Sequence, residues 1–396
     1  MKTLISSKHF WLTFCFISFI SSFIIIQNVN GQSFKDDKSF KDLDDLLNLT
    51  VVGNGYSDQT IVLFLPGATE GFDSEYDAYK LTGIYAAPQL YSIIPCCNLA
   101  VNVLPPPIPT DYWVQMGFDV GAETTYTISA TGMNSFDTGV TIHLLDIRDN
   151  ILIDLKTDSV YTFTASPDDY SSRFRVYFNL ASQLLNVKVN LEGPYNGTNM
   201  STKLRSVGYI PTNQPYNVSP WNYFGTESSE ALPDIVDWVL VEFRDAVNAS
   251  SATSGTMIER RAAHLMKNGR CIVEFSNSYS NNLFIVIRHR NHLPILSNYP
   301  VFNTNGVYSY DFSVDVGQAY GGASAQKFLG LIVYGMIGGD ANADGYIDSD
   351  DYTNVWSLET GESGYLPSDV TLDGQANNKD KDDVWVENEG ESSQLP

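Results

Sequence analysis

The stretches WVQMGFDV (113–120) and TYTISATG (125–132) decide the fold class. Both are short, rich in aromatic and β-branched residues, and punctuated by Gly or Asp, which is the composition of strands. Runs of the same kind recur on either side: TIVLFL (60–65), LAVNVL (99–104), VTIHLLDI (140–147), YTFTAS (161–166) and RFRVYFNL (173–180). Seven or more short strands with turn signals between them predict a first β-sandwich-like domain over 48–183. GNG (53–55) reads as a turn, since no P-loop lysine follows it.

A second β-rich domain is expected over 184–336. It opens with LNVKVNLEG (185–193), crosses a loop-rich stretch holding Pro194, Pro211, Pro215, Pro220 and Pro233, and resumes with IVDWVLVEFRDA (235–246). RAAHLM (261–266), CIVEFS (271–276), LFIVIRHR (283–290) and VYSYDFSV (307–314) follow, and FLGLIVYGM (328–336) leads into the tail. In IVDWVLVEFRDA apolar residues occupy both parities, so both faces of that strand are expected to be covered.

The 396 residues are 43% hydrophobic and 17% charged, a globular composition. Lys2 and Lys8 precede an apolar run from Phe10 to Ile26, and Gly31 closes a cleavage region, so 1–31 reads as a secretory signal peptide. Residues 32–47, which repeat SFKD, read as a charged linker. No later segment is long and apolar enough to span a bilayer. Cys96, Cys97 and Cys271 are an odd count with two adjacent members, which predicts neither a disulfide framework nor a zinc site.

The net charge of −23 is unevenly spread: residues 337–396 carry fifteen Asp and Glu against two Lys. Such a chain does not bind nucleic acid through its phosphates, and acid concentrated at one end points to cations. The tail is also duplicated. Residues 340–367 set over 369–396 are identical at 11 of 28 positions, an offset of 29, with Pro396 opposite Pro367 as at a natural end.

Within each copy, oxygens alternate around a glycine. The first loop places Asp340, Asn342, Asp344, Tyr346 through its carbonyl, Asp348 and Asp351 at positions 1, 3, 5, 7, 9 and 12, with Gly345 at 6. The second places Asp369, Thr371, Asp373, Gln375, Asn377 and Asp380 likewise, with Gly374 at 6. This is the ligand spacing of an EF-hand-type loop, and it predicts two Ca2+ sites, the one starting at Asp340 the tighter because it holds four carboxylates against three.

Paired loops with Asp at position 12, each leading into a short helix, resemble a type I dockerin over 338–396. The resemblance implies a small α-helical calcium-folded domain over 337–396 that docks on a cohesin-like or other surface scaffold protein. The residues at positions 10 and 11, Ser349 and Asp350, then Asn378 and Lys379, depart from the Ser and Thr usual there. LFLPGATEGFDSEYDAYKL (63–81), YTFTASPDDYSSRFRVYF (161–178) and IVIRHRNHLPI (285–295) resemble terminal modules of secreted surface proteins of Bacteroidota. That implies a bacterial protein, secreted or on the extracellular face of the cell, with a glycan as a further candidate partner.

IRHRNH (287–292) would place Arg288, Arg290 and His292 on one strand face and His289 on the other, to pair with acidic neighbours or to clamp an anion. No Gly-x-Ser-x-Gly elbow or zincin histidine pair is present. The reading is therefore a mainly β, calcium-binding, non-catalytic protein that attaches through its tail. The alternative is a glycan-degrading hydrolase carrying a dockerin, with Glu242, Glu259, Asp234 and Asp237 as carboxylates of the required type.

Overall fold

A computed structural model describes residues 45–228 and 234–396. The signal peptide and most of the linker lie outside these residues; the linker's last two positions, Leu46 and Leu47, already belong to the first strand. The described residues cluster as one unit.

Twelve strands come first: β1 (Leu46–Gly53), β2 (Tyr56–Phe64), β3 (Ala78–Tyr79), β4 (Gln89–Ile94), β5 (Cys97–Leu104), β6 (Tyr112–Asp119), β7 (Thr124–Thr131), β8 (Ile142–Asp146), β9 (Ile151–Asp154), β10 (Val160–Ala165), β11 (Phe174–Phe178) and β12 (Gln183–Lys188). All but β12 form one continuous sheet in the order β10-β7-β1-β2-β5-β4-β6-β11-β8-β9, with β3 added on β5. β1 and β2 turn through Asn54 and Gly55, both at positive φ, the two-residue turn that suits the twist of a hairpin.

This sheet curls until it is nearly a closed barrel. Phe118 of β6 meets Phe163 of β10 edge to face at 5.3 Å, and Phe163 meets Phe174 of β11 at 5.0 Å. Across the remaining gap, Asp146 at the end of β8 accepts the Tyr161 hydroxyl of β10 at 2.9 Å and pairs with Arg173 at 2.7 Å. Where β4 turns into β5, Cys96 and Cys97 are bonded to each other, a bridge between chain neighbours that the odd cysteine count does not predict. Cys271 is a buried free thiol, pushed up to about 12 by that burial.

Nine further strands follow: β13 (Ile235–Ala246), β14 (Met257–Met266), β15 (Arg270–Phe275), β16 (Asn282–Arg288), β17 (Ile295–Leu296), β18 (Phe302–Thr304), β19 (Val307–Asp311), β20 (Lys327–Gly330) and β21 (Val333–Gly335). They make a sheet β15-β12-β19-β18, a sheet β14-β13-β16-β17 and a hairpin β20-β21. The first two share a core in which Val187 and Val273 meet Val241, Phe243 and Ile285. The other parity of β13, Trp238 and Leu240, is covered by Tyr216 and Tyr223 from the proline-rich stretch, as its doubly apolar pattern predicts.

The tail carries two short helical stretches, Asp351–Trp356 continuing as Ser357–Glu359 and Asp380–Trp385 continuing as Val386–Asn388. Among the described residues no helix is long and apolar enough to cross a membrane.

Candidate functional site

The two acidic repeats interlock rather than stand side by side. Ile347 N donates to Glu391 O at 2.9 Å and, 29 residues on, Ala376 N donates to Glu362 O at 3.0 Å. Gly390 N to Ile347 O and Gly361 N to Ala376 O, both 2.8 Å, are a second related pair. Each loop thus binds the segment after the other copy's helix, which gives the tail an internal pseudo-twofold.

Inside each loop the predicted ligands do come together, but they face amides. Asp351 accepts Asn342 N at 3.1 Å and Asp348 N at 2.9 Å, while Asp340 accepts Gly345 N at 3.2 Å. Asn342, Asp344 and Asp348 accept the amides of Asp344, Tyr346 and Asp350 two residues on, at 2.8–2.9 Å. In the second loop Asp369 accepts Asp373 N and Gly374 N, at 3.0 and 2.9 Å. Asp380 accepts Thr371 N, Thr371 Oγ1 and Asn377 N at 2.8–2.9 Å. Asp373 and Asn377 accept Gln375 N at 3.0 Å and Lys379 N at 2.9 Å. The backbones of Tyr346 and Gln375, the expected carbonyl ligands, bridge to Ser392 and Ser363 of the opposite copy.

These contacts overturn the calcium reading. Among the described residues no group of three or more His, Cys, Asp or Glu side chains is placed to hold a metal ion. The two Ca2+ sites are withdrawn, and so is the calcium-folded docking role built on them. The physical reason lies in how the carboxylates are neutralised. Backbone N–H groups of the loops themselves occupy each carboxylate, and burial raises the carboxyls that remain crowded. Asp340, with one oxygen unpartnered, is pushed up to about 7 by burial and by Asp351 and Asp344. Asp369 reaches about 7 through burial, which outweighs the opposing charge of Arg290. Asp351 reaches about 6.

What the sequence did not disclose is the socket that receives this tail. β16 stops at Arg288, and the next four residues turn inward, so His289, Arg290, Asn291 and His292 are all buried instead of alternating. Arg288 stays on the strand and pairs with Glu242 at 2.7 Å. At the centre lies Asp237, fully buried on β13. Its Oδ2 accepts Arg290 Nε at 2.9 Å and faces His289 Nε2 at 3.2 Å, and its Oδ1 accepts the Tyr365 hydroxyl of the tail at 2.5 Å. Arg290 also donates to Leu366 O and lies 4.2 Å above the Tyr365 ring. Asn291 Nδ2 donates to Pro367 O and Asp369 O, at 2.9 and 2.8 Å.

These contacts select one set of tautomers. His289 Nε2 must carry the proton that meets Asp237, so its Nδ1 accepts. His292 Nδ1, 3.1 Å from it and 2.9 Å from Asn291 Oδ1, is then the donor. His292 Nε2 is left to accept Gly193 N at 3.4 Å. A neutral relay therefore runs from the Asp237 carboxylate through two imidazoles to a backbone amide. Burial lowers both histidines, His292 most strongly, and it would raise Asp237 as well. The charge of Arg290 and the donors of His289 and Tyr365 win there and hold Asp237 well below the usual range.

The tail enters the socket with apolar groups too. Leu372 is fully buried in the core shared by the two middle sheets. Val370 O lies where a Cβ on Gly193 would stand, 2.0 Å away, so the backbones meet directly. A second anchor lies further along the same copy: Asn388 Nδ2 donates to Glu192 Oε2 at 2.6 Å, and Lys327 Nζ donates to Asn388 Oδ1 at 2.6 Å.

Each carboxylate singled out as a hydrolase candidate is engaged. Glu242 binds Arg244 and Arg288, both at 2.7 Å. Glu259 pairs with Arg261 at 2.5 Å and accepts Ser276 N and Asn277 N. Asp234 pairs with Lys267 at 2.8 Å. Asp237 anchors the tail.

Fold and site together describe a mainly β chain closed by a short helical repeat. A family described as a domain of unknown function (DUF8693) matches residues 27–178, ending on the last residue of β11. No curated protein and no solved structure matches the chain.

Proposed function

We propose that this chain is an exported, non-catalytic β scaffold whose C-terminal repeat is a built-in brace, inseparable from the middle sheets. One observation carries the reading: the buried Asp237 carboxylate is satisfied jointly by Arg290 and His289 from the body and Tyr365 from the tail. Breaking such a cluster leaves an uncompensated buried charge, which is strongly unfavourable. Export is supported by the Lys-flanked apolar run at Phe10–Ile26 and by the bonded Cys96–Cys97 pair, since disulfides persist in oxidising compartments. The test is a chain ending at residue 336. The brace reading expects it to melt well below the full chain and to bind a hydrophobic dye. Unchanged melting of that chain would overturn it.

A further inference from the structure

Outside the socket, two cations of the middle sheets stand side by side on one sheet face, with carboxylates near them but none in tight contact. On the sheet β15-β12-β19, one face packs inward through Val187, Cys271 and Tyr308, and the opposite face carries Lys188, Arg270 and Asp311 side by side. Lys188 and Arg270 stand directly opposite each other in an antiparallel pair, an arrangement of like charges that weakens a sheet. Lys188 reaches only Asp311, at 3.7 Å. Among the described residues no carboxylate lies within ion-pair distance of Arg270, whose Nη2 donates to Arg148 O at 2.9 Å. Burial lowers the pKa of Arg270, and the more distant charges of Asp311, Asp146 and Asp149 offset that only in part.

The turn at residues 147–150 rests on this face. Asn186 Nδ2 fixes it by donating to Ile147 O at 2.7 Å and Asn150 Oδ1 at 2.6 Å. An opening of about 330 Å³ and another of about 300 Å³ result, and both are lined by Lys188 and Arg270. The other cations of the second opening, Arg148 and Arg173, are matched by Asp146, Asp149 and Asp169. Its walls add Tyr170, Tyr195 and the amide of Asn190. Asp168 and Asp169 line it as well, and so does Val333, placed by a turn at Leu331 and Ile332 whose positive φ angles apolar side chains rarely adopt.

We propose that this seam binds a carboxylate-bearing saccharide, a hexuronate unit, with the carboxylate on Arg270 and Lys188 and the sugar ring against Tyr170 and Tyr195. A guanidinium takes a carboxylate in two parallel hydrogen bonds, which a lone ammonium does not. Aromatic faces and amides suit a ring that is apolar on its face and hydroxylated at its edge.

The test is calorimetry on the full chain with trigalacturonate, a neutral galactose trimer and inorganic phosphate as probes. Trigalacturonate is expected to bind, more weakly as salt rises. Arg270→Gln is expected to weaken it roughly ten- to a hundredfold, and Lys188→Met several-fold. Because Arg270→Gln also removes the bond to Arg148 O, the Lys188 variant, checked for unchanged melting, keeps the test decisive if the first variant fails to fold. Three results would each overturn the assignment: no heat with trigalacturonate at millimolar concentration, equal binding of the neutral trimer, or phosphate competing as well as the uronate.

Discussion

The Tyr365 hydroxyl donates to Asp237 Oδ1 at 2.5 Å across 128 residues of sequence. It joins the tail to the innermost carboxylate of the middle sheets. Burial and the Asp237 charge hold the phenol's pKa well above its ordinary value, so it remains a donor at every physiological pH. Tyr365→Phe keeps the ring under Arg290 and removes only that donor. Denaturant unfolding should show a loss of about 1.5–3 kcal/mol, the range for a hydrogen bond to a charged group. Limited proteolysis should cut the variant first within 337–396. A loss below about 0.5 kcal/mol with unchanged proteolysis would mean that the brace is held elsewhere.

Gly193 tests the same joint through sterics. A methyl group there would lie 2.0 Å from Val370 O and 2.7 Å from its carbonyl carbon, so the tail backbone has to move. Gly193→Ala should cost about 1–3 kcal/mol, as overpacking does. Gly139→Ala, where nothing lies within 4 Å, should be nearly neutral. Equal melting temperatures for the two variants would contradict the close backbone approach.

Much of the sheet structure was legible because it depends on local composition. The runs around Trp113–Val120 and Thr125–Gly132 became β6 and β7, and the two-parity pattern of Ile235–Ala246 became a strand covered on both faces. The turn at Leu331 and Ile332 was not, because the left-handed region is normally announced by Gly or Asn. The tail misled for a different reason. Alternating Asp and Asn around a glycine also serves to cap successive amides, as Asp344, Asp373 and Asn377 do, and a ligand pattern does not say which use is made of it. The socket was invisible because Asp237, the His289–Arg290 pair and Tyr365 are far apart in sequence and meet only through tertiary packing. The only signal was the density of charge in IRHRNH, read as a strand alternation reaching His292, whereas β16 ends four residues earlier at Arg288.

His264 offers a pH prediction that can be isolated. It packs on Trp238, with ring centroids 4.0 Å apart, and burial holds its pKa down to about 4, aided by the charge of Arg175. The unfolded chain titrates it near 6.5. Between those values the unfolded state binds the extra proton, so this residue's contribution to stability is full above about pH 6.5 and is lost as pH falls towards 4. The stability difference between the protein and a His264→Gln variant should therefore shrink over that window. Taking the difference cancels the raised carboxyls of the tail, which act in the opposite direction. An imidazole resonance titrating near 6.5 would refute the prediction.

Arg173 and Asp146 close the gap in the first sheet, and their burial makes the pair sensitive to being halved. The Arg173 side chain is 1% exposed and that of Asp146 0%, and the guanidinium reaches both Asp146 oxygens as well as Thr164 O on β10. Arg173→Leu strands a buried carboxylate, and a loss of about 3–5 kcal/mol is expected. Replacing both partners, Arg173→Leu with Asp146→Leu, removes the charge along with its partner and should recover part of that loss, although Tyr161 then loses its acceptor. A chemical denaturation cycle over the four proteins measures the coupling. Simple additivity of the two single losses would show that the pair contributes as separate contacts and not as the clasp between β8 and β10.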